Sequence, residues 1–206
     1  MFRLSRHYSI ASLIGMVVIV AALSLFLRQL AMEILLAQQT RSNVDLTRSY
    51  VNAMWDQIEG LVDASGGLTA EALRRRPELA AIQQATQAQM KGMNVVKVKV
   101  YNLAGMTVFS TEAKQIGDDK SANEGFLSAR AGEVRSEIVF RNEFYAIEEV
   151  ISDRNLIATY MPVRAPDGGP VKAVFEVYTD DTPLVAKMQK AQTWIVMGVS
   201  EALLLL

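Results

Sequence analysis

The chain has 206 residues, a formal net charge of −1 and no cysteine, and half of its residues are hydrophobic. This length allows one ordinary domain with membrane anchors. The near-neutral charge gives no basic footprint for nucleic acid, and the lack of cysteine excludes thiolate nucleophiles and cysteine-ligated metals. The single histidine is His7, so a Ser-His-Asp triad cannot form in the rest of the chain.

The first predicted element is a membrane helix at residues 8–27, YSIASLIGMVVIVAALSLFL. As a helix these uncharged residues span about 30 Å, the thickness of a bilayer core. Arg3 and Arg6 precede it, and positive flanks stay inside, so residues 1–7 are predicted to be a cytoplasmic tail. A cleaved signal peptide is the alternative, but its apolar core is normally shorter and ends at small residues, where this chain has Phe26 and Leu27.

Residues 28–190 are predicted to form one extracytoplasmic domain, which begins with a long helix. From 28 to 64 the chain has no proline and one glycine, and apolar residues recur at spacings of three, four and seven. This pattern predicts an amphipathic helix that continues the membrane helix and ends at the Ser-Gly-Gly of 65–67. Thr69 and Pro77 then mark the starts of two shorter helices.

Five strands are predicted next, at 96–101, 106–110, 134–141, 155–163 and 171–178. In the first, valines alternate with Lys97, Lys99 and Tyr101, which is typical of a half-buried strand. Asn123 is the predicted cap of a short helix, residues 142–154 are predicted to be irregular, and 165–169 to be a turn. The order predicts an α+β fold, with helices on one side of an antiparallel sheet of roughly five strands.

The last predicted elements are a helix from Thr182 and a second membrane helix at 191–206, AQTWIVMGVSEALLLL. Lys187 and Lys190 precede this segment, and Trp194 suits an interfacial depth. Because a span needs about 20 apolar residues, this helix is expected to be truncated. Glu201 within it either has a polar partner or marks function, or else it lies near an interface or stays protonated, since a carboxylate inside the membrane is costly.

Four stretches of this sequence carry a resemblance to a known family: VKVYNLAGMTVFST at 98–111, GFLSARAGEV at 125–134, ATYMPVRAPDGGPVKAVFEVYTD at 158–180 and DTPL at 181–184. Framed by two membrane helices, they resemble the extracytoplasmic PAS-like sensor domains called Cache or PDC domains. These occur in bacterial sensor histidine kinases, chemoreceptors and membrane diguanylate cyclases. The resemblance covers roughly residues 39–185.

The resemblance implies a ligand-sensing input module in the bacterial inner membrane, with its main domain periplasmic or extracellular and an exit helix that transmits binding. It implies no enzyme activity for this chain, because the kinase or cyclase module of such receptors lies beyond the second membrane helix. No cofactor and no metal are expected. The alternative is a membrane-anchored envelope interaction or dimer-scaffold protein, and in either case the long helix is expected to pair with its copy in a homodimer.

In such folds the ligand lies between the sheet and the overlying short helix and loops. Carried to this chain, the expected lining residues are Lys97, Lys99, Tyr101, Phe126, Arg141, Tyr145, Tyr160, Glu176 and Tyr178. Lysine and arginine suit an unknown small ligand that bears a carboxylate.

A structural role is the alternative for most of these residues. Lys97 and Lys99 are then the solvent-facing side of a strand, and Tyr160 and Tyr178 are core aromatics with hydrogen-bonded hydroxyls. Glu176 differs because its neighbours in the strand are apolar. A buried carboxylate needs a partner, for which the sequence offers Arg141, Lys97 or Lys172.

Overall fold

The computed structural model describes residues 2–147, 150–164 and 168–204. The chain divides into two compact units, one made of Met1–Leu35 and Pro183–Leu206 and the other of Leu36–Thr182. The helices are α1 (Phe2–Ala64), α2 (Ala70–Arg74), α3 (Glu78–Met90), α4 (Glu124–Arg130) and α5 (Thr182–Leu204). The strands are β1 (Val95–Tyr101), β2 (Thr107–Ser110), β3 (Arg135–Tyr145), β4 (Val150–Arg164) and β5 (Val171–Asp180).

The first predicted membrane segment lies in α1. Among the described residues one helix, Ser12–Gly67, is long and apolar enough to cross a membrane, and its best window of 18 residues has a mean hydropathy of 2.2 with none of that window buried. This agrees with the predicted segment at 8–27 in length and composition. The second segment lies in α5, which does not meet the same criterion over its described residues, so that membrane helix stays a prediction.

The second unit contains one antiparallel sheet in the order β2-β1-β5-β4-β3, which places β5 at its centre. A long N-terminal helix with a five-stranded antiparallel sheet confirms that part of the predicted fold. Helices lie on both faces, however, so the prediction that they share one side is wrong. The apolar residues of α4 pack with the opposite set of sheet residues from those that α1 and α3 cover.

The larger core lies between the sheet and the helices α1 and α3. In α1, Tyr50, Met54, Ile58 and Leu61 recur every three or four residues and are all buried, as the amphipathic pattern predicted. Tyr50 meets Phe175 of β5 edge to face, with ring centroids 5.7 Å apart. Burial raises the pKa of Tyr50 to about 12, while the side-chain hydrogen bond between Tyr50 and Thr86 acts to lower it. The α1 stripe therefore fixes one face of the central strand.

A polar network crosses this otherwise apolar layer. Asn43 of α1 is 2% exposed, and its Nδ2 donates to Thr159 Oγ1 at 2.9 Å and to Thr179 Oγ1 at 3.3 Å. Thr179 Oγ1 in turn donates to Asp181 Oδ2 at 2.8 Å, and burial raises the pKa of the Asp181 carboxyl. Hydrogen bonds thus join α1 through two strands to the residue that precedes α5.

Asn43→Ala is expected to lower the free energy of unfolding by about 1–2 kcal/mol, because it leaves buried hydroxyls of Thr159 and Thr179 with fewer partners. Urea unfolding of the full chain in lipid nanodiscs, followed by circular dichroism, measures the change. Asn52→Ala is the control, since Asn52 is an exposed asparagine of the same helix and should shift stability by less than about 0.5 kcal/mol. Equal effects at the two positions would contradict the network.

The helix starts are confirmed at two predicted caps. Thr69 Oγ1 accepts from Ala72 N at 3.2 Å, and Asn123 Oδ1 accepts from Phe126 N at 2.8 Å. The tight turn between β1 and β2 uses Gly105, whose φ is +90° and whose Cβ would lie 2.5 Å from Ser121 N. Sequence-local signals therefore fixed the helix starts and this turn.

The third and fourth strands are longer than predicted, so the irregular segment at 142–154 is wrong. The β3–β4 ladder continues through Arg141 opposite Arg154 to Tyr145 opposite Val150. This part of the ladder is hard to predict from the sequence because β3 is an edge strand with exposed polar residues, and because Asp153 has a positive φ of 52° inside β4. Glu148, Glu149 and 165–167 of the predicted turn lie outside the described residues.

Candidate functional site

The second face of the sheet is covered by α4 and by the tip of the β3–β4 hairpin. Phe126 of α4 is fully buried and meets Tyr101 of β1 edge to face, with ring centroids 5.8 Å apart. At the tip, Ile147 N donates to Val96 O at 2.8 Å, which holds the hairpin against β1. Phe144 of the same hairpin packs on Tyr178 of β5, at 5.0 Å between ring centroids. Two elements therefore close over one stretch of β1 and β5.

α4 approaches the sheet so closely that one position must be glycine. A Cβ added at Gly125 would lie 2.3 Å from two carbons of the Tyr160 ring, a distance that forces a shift. Gly125 is itself buried, and Tyr160 is 4% exposed. The tyrosine ring therefore fills the space directly beneath the first turn of α4.

Three ionisable side chains lie in this covered layer. Lys97 is 2% exposed, Lys99 5% and Glu176 1%. Lys99 is paired in register with Glu176, so the two side chains emerge on the same face of neighbouring strands. Burying charges is costly unless they are paired and hydrogen-bonded, so each contact of these groups matters.

Glu176 is only partly satisfied. Tyr101 Oη donates a hydrogen bond to Glu176 Oε2. Lys99 Nζ lies 3.8 Å from the same oxygen, an ion pair too long for a hydrogen bond. Within the described part of the chain, the other oxygen, Oε1, is buried and has no hydrogen-bond donor. The site therefore contains a carboxylate oxygen able to accept and a neighbouring ammonium able to donate.

Lys97 is better satisfied than Lys99. Its Nζ donates to Glu112 Oε2 at 2.7 Å and lies 3.9 Å from the centre of the Phe144 ring, a cation–π contact. Lys99 Nζ lies 5.7 Å from the centre of the Tyr178 ring. The hairpin tip thus covers Lys97 with an aromatic ring, while Glu112 supplies its counter-charge.

Burial controls the protonation of the site. It lowers the pKa of Lys97 and of Lys99, against the carboxylates of Glu112 and Glu176 that favour the charged form. Burial also raises the pKa of Tyr101, Tyr160 and Tyr178, and the nearby charge of Glu176 raises each of them further. The three hydroxyls therefore stay protonated and remain hydrogen-bond donors.

The structure brings most of the predicted site residues together. Those that share the covered layer are Lys97, Lys99, Tyr101, Phe126, Tyr160, Glu176 and Tyr178. Arg141 and Tyr145 lie on β3 with exposed side chains, although the charge of Arg141 acts on Lys97 and Tyr178. Whether any of these residues binds a ligand stays a prediction.

One sequence interpretation is wrong, and a second is incomplete. Lys97 and Lys99 do not face solvent, because the second face of β1 is covered as fully as the first. The direct contacts of Glu176 are with Tyr101 and Lys99, which the sequence did not single out as its partners. Of the three partners that the sequence offered, Lys97 interacts with Glu176 through charge, since the carboxylate acts to raise the pKa of Lys97. Lys99 was predicted as a lining residue but not as a partner of Glu176, because its register opposite Glu176 depends on the pairing of β1 with β5, which are distant in sequence.

Two residues of the site were missed altogether, Glu112 and Phe144. Glu112 could have been found from the hairpin that β1 and β2 form. In that hairpin Lys99 pairs with Ser110, and the same register continued by two residues places Glu112 opposite Lys97. No sequence signal pointed to Phe144, because it lies in the segment that was predicted to be irregular. Among the described residues no group of three His, Cys, Asp or Glu side chains could hold a metal ion.

No family model matches the chain, and no curated protein matches it. Solved structures do match. The sensor domain of the histidine kinase DctB from V. cholerae is 14% identical, with a TM-score of 0.38 over 73% of this chain and 57% of that chain. The E. coli DcuS sensor domain is 13% identical, with a TM-score of 0.38 over 65% of this chain and 98% of that one. The PAS domain of BvgS from Bordetella pertussis is 14% identical, with a TM-score of 0.32 over 53% and 96%.

These matches are sensor domains of bacterial signalling proteins, which agrees with the family that the sequence resembles. The chain spans little more than half of the DctB sensor domain. At such identities and TM-scores the likeness supports no inference about function. What the chain does has to be inferred from its own side chains.

Proposed function

We propose that the chain is the ligand-sensing extracytoplasmic input module of a bacterial transmembrane signalling receptor, anchored in the inner membrane by α1. One observation carries the proposal: Glu176 Oε1 is buried without a hydrogen-bond donor among the described residues. Beside it, Lys99 Nζ has a long ion pair with the other oxygen and a distant contact with the Tyr178 ring. A buried acceptor left without a donor lowers stability, and a bound ligand that donates to it would recover the loss.

The two elements that cover this face of the sheet, α4 and the tip of the β3–β4 hairpin, suit a site that closes over a small ligand. Access to Glu176 requires α4 or the hairpin tip to move, since both lie over the layer that contains it. Glu176 is on β5, which ends at Asp180, and Asn155 N of β4 donates to Thr182 Oγ1 at 2.8 Å. A change at Glu176 therefore reaches the first residue of α5 through a short length of paired strand.

The binding signal then reaches α5 through a shift in the populations of an open and a closed arrangement of the domain. A ligand that binds the closed arrangement more tightly shifts the domain toward it, by no more than its difference in affinity for the two states. The start of α5 moves with β4 and β5, and α5 carries the change onward. The homodimer through α1 and a carboxylate on the ligand both stay predictions.

The test is thermal unfolding of the full chain in lipid nanodiscs against amino acids, dicarboxylates and other small metabolites. A compound at 100 times its dissociation constant is expected to add about 2.7 kcal/mol, which is roughly 5–10 °C in the midpoint. Glu176→Gln should abolish the shift. Glu143→Gln, at an exposed position of β3, is the matched control and should keep it.

Two results would contradict the proposal. One is a folded chain that no compound stabilises, which favours an envelope interaction or dimer-scaffold role. The other is a saturable shift that survives Glu176→Gln, which would place the ligand elsewhere in the chain.

A further inference from the structure

The two edges of the sheet differ in what covers them. β2 and β3 are the edge strands. The outer side of β2 is covered by the chain that follows it, since Thr107 N donates to Asp118 O at 2.9 Å and Gly117 N donates to Thr107 O at 2.8 Å. Among the described residues no strand or loop pairs in this way with the outer side of β3. The outward N–H and C=O groups of β3 are therefore available to another strand.

Two opposite charges lie on one face of this open edge. Glu137 and Arg141 are four residues apart in β3, and neither belongs to an ion pair in the described part of the chain. Both are on the face that α4 covers, because the charge of Glu137 acts to raise the pKa of Tyr160 and that of Arg141 acts to lower the pKa of Tyr178. Val139, which lies between them, packs against the same layer. Each charge therefore still lacks a counter-charge.

The opposite face of the same stretch is apolar. Side chains alternate between the two faces of a strand, so Ile138 and Phe140 point away from Glu137 and Arg141. Phe140 is 55% exposed, and Ile138 is half-buried. A further strand at this edge would remove apolar surface from water while it pairs the open backbone.

This stretch is complementary to itself when two copies of β3 run antiparallel. Where Val139 lies opposite Val139 of a second copy, Glu137 lies opposite Arg141, and Arg141 opposite Glu137. The same register places Ile138 of each copy opposite Phe140 of the other. Each charge without a counter-charge thus meets an opposite one, and each apolar side chain meets another.

The neighbouring registers lack this match. Side chains that meet across two strands lie on the same face, so the pairing can shift only in steps of two residues. A step in one direction places Arg135 opposite Arg141, and like charges directly opposite each other are destabilising. A step in the other direction places Arg141 opposite Val139, which leaves its charge without a partner. The charges of β3 therefore select the register centred on Val139.

We propose that β3 is a self-association surface, to which β3 of a second copy of this chain adds antiparallel and so joins the two sheets into one. The two copies are related by a two-fold axis, so every contact occurs twice and the pair is closed to further copies at this edge. The surface differs from α1, through which a homodimer was predicted. The inference also stands without the proposed function, because it uses neither Glu176 nor Lys99.

The experiment is Förster resonance energy transfer (FRET) between two copies of the full chain in proteoliposomes. The dyes are attached to a cysteine introduced by Glu133→Cys, at an exposed position before β3, and the chain has no other cysteine. An excess of unlabelled chain at constant dye density gives the reference for chance proximity. We expect FRET above this reference, and Arg141→Glu or Glu137→Arg should each lower the association constant about fivefold, because like charges then meet twice.

Mixing the two variants is the decisive step. Copies with Arg141→Glu carry two acidic side chains and copies with Glu137→Arg carry two basic ones, so FRET should return between the two kinds of copy. The double variant should regain FRET with itself. Lys114→Glu, which reverses an exposed charge outside β3, is the control and should leave FRET unchanged.

Three results would overturn the inference. The first is FRET of the parent chain that neither single variant lowers, as expected if the copies pair through α1 alone. The second is FRET that both single variants lose and that their mixture does not regain. The third is no FRET of the parent chain above the reference for chance proximity.

Discussion

Glu176→Leu is expected to lower the free energy of unfolding by about 3–5 kcal/mol, because it leaves a buried ammonium without its counter-charge. Lys99 Nζ is 3.8 Å from Glu176 Oε2 and has no other carboxylate in a salt bridge among the described residues. Tyr101 Oη also loses its acceptor. Urea unfolding of the full chain in nanodiscs measures the loss.

The double variant Lys99→Met with Glu176→Leu is expected to recover most of that loss, because the hydroxyl of Tyr101 alone stays without its acceptor. Removing both charges of a buried pair ends the desolvation cost of each, and apolar side chains of similar size fill the space. The two substitutions should therefore be strongly non-additive. The double variant should also lose a ligand that the parent chain binds through Glu176 and Lys99, which separates binding from stability.

A surface ion pair provides the control. Arg135 Nη2 lies 2.8 Å from Glu124 Oε2, with side chains 42% and 78% exposed. Because solvent screens such pairs, Glu124→Leu should change stability by less than about 1 kcal/mol. If Glu176→Leu behaves like Glu124→Leu, or if the double variant is no better than the single one, then Lys99 and Glu176 are not coupled.

Gly125→Ala is expected to lower the free energy of unfolding by about 2–3 kcal/mol, the upper range for overpacking. The new Cβ would meet the Tyr160 ring at 2.3 Å, and Tyr160 is itself buried. Either α4 moves outward or Tyr160 leaves its position over the sheet. Thermal unfolding of the full chain in nanodiscs records the loss.

The matched control is Gly60→Ala in α1, where an added Cβ meets nothing within 4 Å. Alanine is favoured over glycine in a helix interior by about 0.5–1 kcal/mol, so this change should stabilise. The same substitution thus acts in opposite directions at the two positions. A stabilising effect at Gly125 would show that α4 does not press on Tyr160.

Local signals in the sequence determined the helices of this protein. The stripe through Tyr50, Met54 and Ile58 repeats every four residues, and such a spacing needs no partner to be recognised as one face of a helix. Thr69 and Asn123 are caps because their side chains bond to backbone a few residues away. Apolar length alone marked the candidate membrane segment.

Only part of the candidate site could be predicted from local signals in the sequence. Glu176 could be singled out because a carboxylate between Phe175 and Val177 breaks an apolar run, and a charge in a central strand requires an explanation. Its partners could not be identified, since Lys99 and Tyr101 meet it only through strands far apart in the chain. Arg141 and Tyr145, equally plausible by residue type, proved to be exposed.

The sequence by itself determined the order and type of the elements, because periodicity, caps and turn residues act over a few positions. Tertiary structure alone decided which faces of the strands are covered. Lys97 and Lys99 alternate with valines as solvent-facing residues do, yet α4 and the β3–β4 hairpin close over them. Burial depends on what packs from elsewhere in the chain, and it is burial that makes these charges a candidate binding site.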